Sequence, residues 1–164
     1  MFSPVVGYLS QNIESASFKI LLPGTNEAMK EKQTDKEDKA IYDFSGLTVL
    51  VVDDDEVIGE FLERLLKRYK ANVKIFTESE QALAYFETHA KDIDIVVTDR
   101  NMPDLNGEEL AKKILAIRPE VEIILCTGLA KEQVEDFSQT HGIKIFLRKP
   151  IRIDDFCRII NELR

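Results

Sequence analysis

LTVLVVDDDEVIGEFLERLL, residues 47–66, sets a short apolar run directly before three successive aspartates and then a stretch whose apolar residues recur at helical spacing. The opening run is apolar at nearly every position, so it reads as a strand buried on both sides, with Asp53 and Asp54 at the end of it. Beyond Asp55 and Glu56, residues Val57, Ile58, Phe61, Leu62, Leu65 and Leu66 fall on one stripe and predict an amphipathic helix that opens from the acidic turn. A two-faced buried strand followed by a helix is the repeating half of a parallel sheet.

Reading outward, the same pairing recurs. Val73 to Phe76 is a second strand, and SEQALAYFETHA supplies a helix with Ala82, Leu83 and Phe86 inward and Glu78 or Ser79 near its start. Ile93 to Thr98 is a third strand, and Gly107 begins a helix with Leu110, Ile114, Leu115 and Ile117 on its apolar face, ended by Arg118-Pro119. Ile123 to Cys126 is a fourth strand, followed by a weaker helix over 130–142 that stops at Gly142. Lys144 to Leu147 is a fifth, and DDFCRIINELR closes the chain as a helix. Strands separated by helices of this length require parallel pairing through right-handed crossovers, hence a doubly wound α/β sheet with helices on both faces. Ligands of such sheets bind beyond the carboxyl ends of the strands.

The totals narrow the class of function. In 164 residues, a formal charge of -8 and a pI near 4.9 oppose an electrostatic grip on nucleic acid or anionic lipid. Cys126 and Cys157 have neither CxxC nor Cys/His ligand spacing and read as buried reduced thiols, which fits a cytoplasmic protein. No stretch approaches the roughly 20 apolar residues of a membrane span, and residues 1–25 do not read as a basic n-region followed by an apolar core. Residues 1–25 read as an N-terminal arm, 26–45 as a charged linker and 46–164 as the folded domain.

Each strand end carries a polar group. Asp53 to Asp55 suit a helix cap, which explains Asp55 or Glu56 better than it explains Asp53. Two carboxylates at a buried strand end repel each other unless a cation sits between them, and Mg2+ accepts such ligands. Asp99 ends VVTD and lies too far ahead of Gly107 to cap the next helix, so it reads as a nucleophile able to form an aspartyl phosphate. Thr127 followed by Gly128 offers a hydroxyl and unobstructed backbone amides, and Lys149 before Pro150 offers a point charge for a phosphoryl oxygen. Loose phosphoryl-transfer transition states need little beyond such positioning and neutralisation.

VVDDDE, VVTDRNMPDLNG, LCTG and FLRKP occur in the order and near the spacing found in receiver domains of two-component response regulators, which residues 46–164 resemble. The resemblance implies a flavodoxin-like sheet of order 2-1-3-4-5. It assigns Asp53 and Asp54 to a Mg2+ site completed by Asp99 and the backbone carbonyl of Asn101, Asp99 to phosphorylation, and Lys149 and Thr127 to the phosphoryl group. Thr127 and Phe146 become switch residues, the Lys149-Pro150 bond is expected cis, and the output face comprises the 130–142 helix, the fifth strand and the last helix. It also implies a sensor histidine kinase or histidine phosphotransfer domain as donor, an unidentified downstream protein, and at most slow self-catalysed turnover in place of conventional enzyme activity. Homodimerisation is left open. Arg100 departs from the apolar residue common after the phosphorylated aspartate, and Leu129 occupies a position that tunes dephosphorylation. His89 and His141 lack the helical hairpin of a phosphodonor.

SFKILLP, residues 17–23, is similar to the last strand of the ATP-binding domain of sensor histidine kinases, although Ser15 stands where Gly is usual and the nucleotide boxes are missing. The chain is accordingly expected to be a stand-alone receiver or the terminal receiver of a hybrid kinase. A competing reading takes VDDDEV as the opening motif of a haloacid-dehalogenase-like phosphatase, with Asp53 as nucleophile and Asp55 as acid/base. It leaves VVTDRNMPDLNG without a purpose and lacks that family's last acidic cluster.

Overall fold

The computed structural model describes residues 42–128, 143 and 145–164. The expectations for the arm, for the 130–142 helix, and for Leu129 and His141 lie outside the described residues. Strands β1 (Thr48–Val52), β2 (Asn72–Phe76), β3 (Ile95–Asp99), β4 (Glu122–Thr127) and β5 (Ile145–Arg148) alternate with helices α1 (Glu56–Arg68), α2 (Ser79–His89), α3 (Gly107–Ile117) and, after β5, α4 (Ile153–Glu162). All pairings are parallel, and the order across the sheet is β2-β1-β3-β4-β5. This is the doubly wound arrangement expected of the sequence.

Alternation along the inner strands divides the core in two. Val49, Val51, Ile95, Val97, Ile124 and Cys126 face Leu62, Leu65 and Leu66 of α1 and Phe156, Cys157 and Ile160 of α4. On the opposite face, Leu50, Val52, Val96, Ile123 and Leu125 meet Ala82 and Phe86 of α2 and Leu110, Ala111 and Ile114 of α3. The packing reaches back past Gly46. Phe44 is fully buried, its N–H donates to the Tyr69 carbonyl, and Tyr42 and Phe44 stack on each other while both meet Tyr69 edge to face.

Two apolar stripes are narrower than the sequence suggests. Val57 is 77% exposed and Phe61 40%, because the face of α1 that meets the sheet is centred on Leu62 and includes Gly59, roughly 100° and more around the helix from both. Gly59 lets the helix approach β2, since a Cβ there would stand 2.6 Å from Cδ1 of Ile75. On α3, Ala111 is buried beside Leu110 and Ile114, while Ile117, expected on that face, sits at the last turn and is exposed.

Candidate functional site

Strand register decides what meets at the carboxyl edge. Val52 pairs with Phe76 and Thr98, Asp99 with Cys126, and Thr127 with Arg148, so the five strands stop within two residues of one another. Asp53, the residue after β1, extends the ladder by donating its N–H to the Phe76 carbonyl at 3.2 Å. Arg100 and Lys149 do likewise toward the Cys126 and Thr127 carbonyls, both at 2.9 Å. Asp53, Asp99, Thr127 and Lys149 thereby leave the sheet at neighbouring points.

Within the acidic turn the three carboxylates separate in role. Asp55 Oδ1 accepts from the Val57 N–H at 2.9 Å and caps α1, as its sequence position suggests. Asp53 is turned inward, only 2% exposed, and its Oδ1 accepts from the Asp55 N–H at 3.0 Å. Asp54 is exposed, yet one carboxylate oxygen each from Asp53, Asp54 and Asp99 lie within 4.8 Å of one another.

Asp99 is 6% exposed and held at both oxygens. Lys149 Nζ lies 2.7 Å from Oδ1, and the Asn101 N–H donates to Oδ2 at 3.1 Å. Lys149 also reaches Asp53 Oδ2 at 3.4 Å, bridging the two buried carboxylates across the sheet. The peptide bond from Lys149 to Pro150 is cis, as the resemblance implies. Gly107 is required by this packing: a Cβ there would fall 2.0 Å from the Asp99 carbonyl oxygen, so α3 begins in backbone contact with Asp99. Nothing in the sequence distinguishes that contact from an ordinary helix start.

The electrostatics are those of a site short of positive charge. Burial pushes the Asp53 carboxyl above its usual range despite the Asp55 N–H and Lys149, which pull it down, while the Asp99 charge adds to the rise. Burial alone would depress the Lys149 ammonium, but its hydrogen bond to Asp99 and the charges of both carboxylates outweigh that and hold it above its ordinary value. A hard cation bound by oxygen ligands would relieve this crowding, and the donor set Asp53, Asp54 and Asp99 fits one such as Mg2+.

Phe146 in β5 is buried against the α2/α3 face, and Thr127 is 2% exposed. His89 stacks on Tyr85 at 4.0 Å between ring centroids at the far end of α2, away from the strand-end cluster. Arg100 pairs with Glu108 through its guanidinium at 2.5 Å, a contact across eight residues that local sequence does not advertise.

The family model of the response regulator receiver domain matches residues 49–161. Two-component response regulator ARR12 of Arabidopsis thaliana is 28% identical over 114 residues, which is 70% of this chain and 19% of that protein. The chain spans 19% to 30% of the length of this and two similar Arabidopsis regulators. Among solved structures, a response regulator receiver domain protein of Clostridium thermocellum is 29% identical with a TM-score of 0.66, covering 71% of this chain and 93% of that one. The receiver domain of Ssk1, solved with the histidine phosphotransfer protein Ypd1 of Saccharomyces cerevisiae, has a TM-score of 0.67 over 73% of this chain and 90% of that one. At 20% identity that likeness shows the fold alone. One match runs through the first acidic turn, Asp99, Thr127 and Lys149 alike, and the phosphatase alternative gains no support. No helix among the described residues is long and apolar enough to cross a membrane.

Proposed function

The chain belongs to the response regulator receiver domain family, a signalling domain in two-component phosphorelays, and from that premise we propose that Asp99 is the phosphoryl acceptor. The observation that carries the assignment is the Lys149 ammonium 2.7 Å from Asp99 Oδ1, closer than its 3.4 Å approach to Asp53. Asp53, Asp54, Asp99 and the Asn101 main-chain carbonyl would hold Mg2+, which when bound neutralises charge on the incoming phosphoryl oxygens. The donor is a phosphohistidine on a sensor histidine kinase or a phosphotransfer domain, by analogy with the partner of the Ssk1 receiver.

Lys149 and the Asn101 N–H fix the plane of the Asp99 carboxylate, so that one oxygen can attack phosphorus as the bond to the histidine nitrogen breaks. Lys149 then moves its charge from the carboxylate to a phosphoryl oxygen, and the Thr127 hydroxyl donates to another. The turn of Thr127 toward the product is coupled to Phe146 on the neighbouring strand, biasing the face that β5 and α4 contribute to. That face would bind the downstream protein. Resetting proceeds by slow self-catalysed hydrolysis, in a cytoplasmic setting.

Incubation with acetyl phosphate and Mg2+, followed by intact mass, tests the proposal. One phosphoryl group is expected on the wild type, removed by mild alkali and missing from Asp99→Asn. Multiple turnover of small phosphate esters that depends on Asp53 and survives Asp99→Asn would reverse the assignment.

A further inference from the structure

Residues 101–106, six of the seven between β3 and α3, form the loop beside the acidic cluster, and its two ends are joined through the remaining one, Arg100. The Arg100 carbonyl accepts from the Gly107 N–H at 3.0 Å, while its Nε donates to Glu108 Oε1 at 2.5 Å. The backbone bond would form with any side chain at position 100; the ion pair would not. Its side chains are 28% and 17% exposed, against 78% and 57% for the Arg64–Glu60 pair of α1, so solvent screens it far less.

Three other contacts fix what the ion pair closes. Met102 and Leu105 anchor the middle of the loop in the core, and Asn106 caps α3 by accepting from the Glu108 and Glu109 N–H groups. The first loop residue, Asn101, gives its N–H to Asp99 Oδ2. Arg100 also neutralises Glu108, a carboxylate on the first turn of the helix that starts against Asp99.

We propose that Arg100, through its pair with Glu108, is a positioning residue for divalent-cation binding, holding the 101–106 loop closed so that the Asn101 main chain stays beside Asp99. The inference rests on the reading of Asp53, Asp54 and Asp99 as a Mg2+ site. A loop already closed binds a cation without reorganising, so loss of the pair weakens binding while the fold survives.

Calorimetric titration of Mg2+ into the full chain tests this, with thermal unfolding in metal-free buffer alongside. Arg100→Ala and Glu108→Ala should each weaken Mg2+ binding by about 10-fold, the range of outer ligand supports. The double variant should be no weaker than either, and the exchange Arg100→Glu with Glu108→Arg should restore part of the affinity. Arg118→Ala is the control: it removes bonds to the Ala90 and Ile93 carbonyls at the other end of α3, and should lower the unfolding temperature without changing Mg2+ affinity. Arg100→Lys, which keeps the charge and loses the Nε bond, serves if the alanine variant does not fold, and should bind Mg2+ more weakly than wild type. Wild-type affinity in a folded Arg100 variant, or additive losses in the double variant, overturns the inference. A wild type that takes up no Mg2+, or takes it up equally after Asp53→Asn, overturns the metal reading beneath it.

Discussion

Asp53 illustrates how far a single residue's environment sets its use. Its carboxyl is raised chiefly by burial, so the folded state holds the proton more tightly than the unfolded chain, whose aspartates titrate at about 3.9. Stability is therefore lost as pH climbs from about 4 through the folded value, and stays lost at neutral pH. Asp53→Asn should raise metal-free stability at pH 7 by on the order of 1 kcal/mol, because Lys149 keeps Asp99 as a partner. Urea unfolding in chelator at pH 7 and near the acid end of that window checks this: the gain should shrink at low pH, and a destabilised variant at pH 7 would show that the carboxylate is well accommodated. The cysteines behave oppositely to a reactive site. Burial pushes the Cys126 thiol up to about 12, and burial with the Asp154 charge pushes Cys157 up to about 11. Native protein should resist iodoacetamide at pH 8 and take two labels when unfolded, since the thiolate is the nucleophile; prompt native labelling would contradict the packing.

At the scale of elements, two glycines set how closely helices lie on the sheet, and they differ in what an added methyl would strike. At Gly107 the obstacle is the Asp99 carbonyl, which cannot give way without moving the strand end. At Gly59 it is the end of the Ile75 side chain, which can rotate. Gly107→Ala should cost about 2 to 3 kcal/mol as an overpacked contact, with loss of Mg2+ affinity. Gly59→Ala should be near neutral, because a helix-propensity gain of about 1 kcal/mol offsets the displacement of Ile75. Denaturant midpoints of the two variants decide it, and equal losses would mean that α1 and α3 are seated by the same kind of contact. The strands and the start of α1 were legible because apolar runs and a helix-capping Asp55 are local signals, whereas the Asn106 cap of α3 emerges only in the fold. Val57, Phe61 and Ile117 misled because periodicity identifies a helix face only to within about one residue's turn of 100°. The Gly107 contact and the Arg100–Glu108 pair were invisible because they depend on how α3 meets the strand end.

For the whole molecule, parallel pairing in the order β2-β1-β3-β4-β5 gathers groups that are far apart in the chain, Asp53 and Lys149 being separated by 96 positions. Each residue type could be read at its strand end, but their convergence required the sheet order. The cluster carries more negative than positive charge, so cation binding should couple to global stability. Mg2+ at about 100 times its Kd should stabilise the fold by about 2.7 kcal/mol, readable as a shift in unfolding temperature, and Asp53→Asn should abolish the shift. Which carboxylate takes the phosphoryl group can be read at the residue itself. Reduction of the acetyl phosphate-treated protein with borohydride converts an acyl phosphate to an alcohol, and peptide mass spectrometry then reads the modified position directly. Homoserine at position 99, dependent on phosphodonor and Mg2+, is the expected result; homoserine at position 53 or 54 would place the acceptor in the first acidic turn instead.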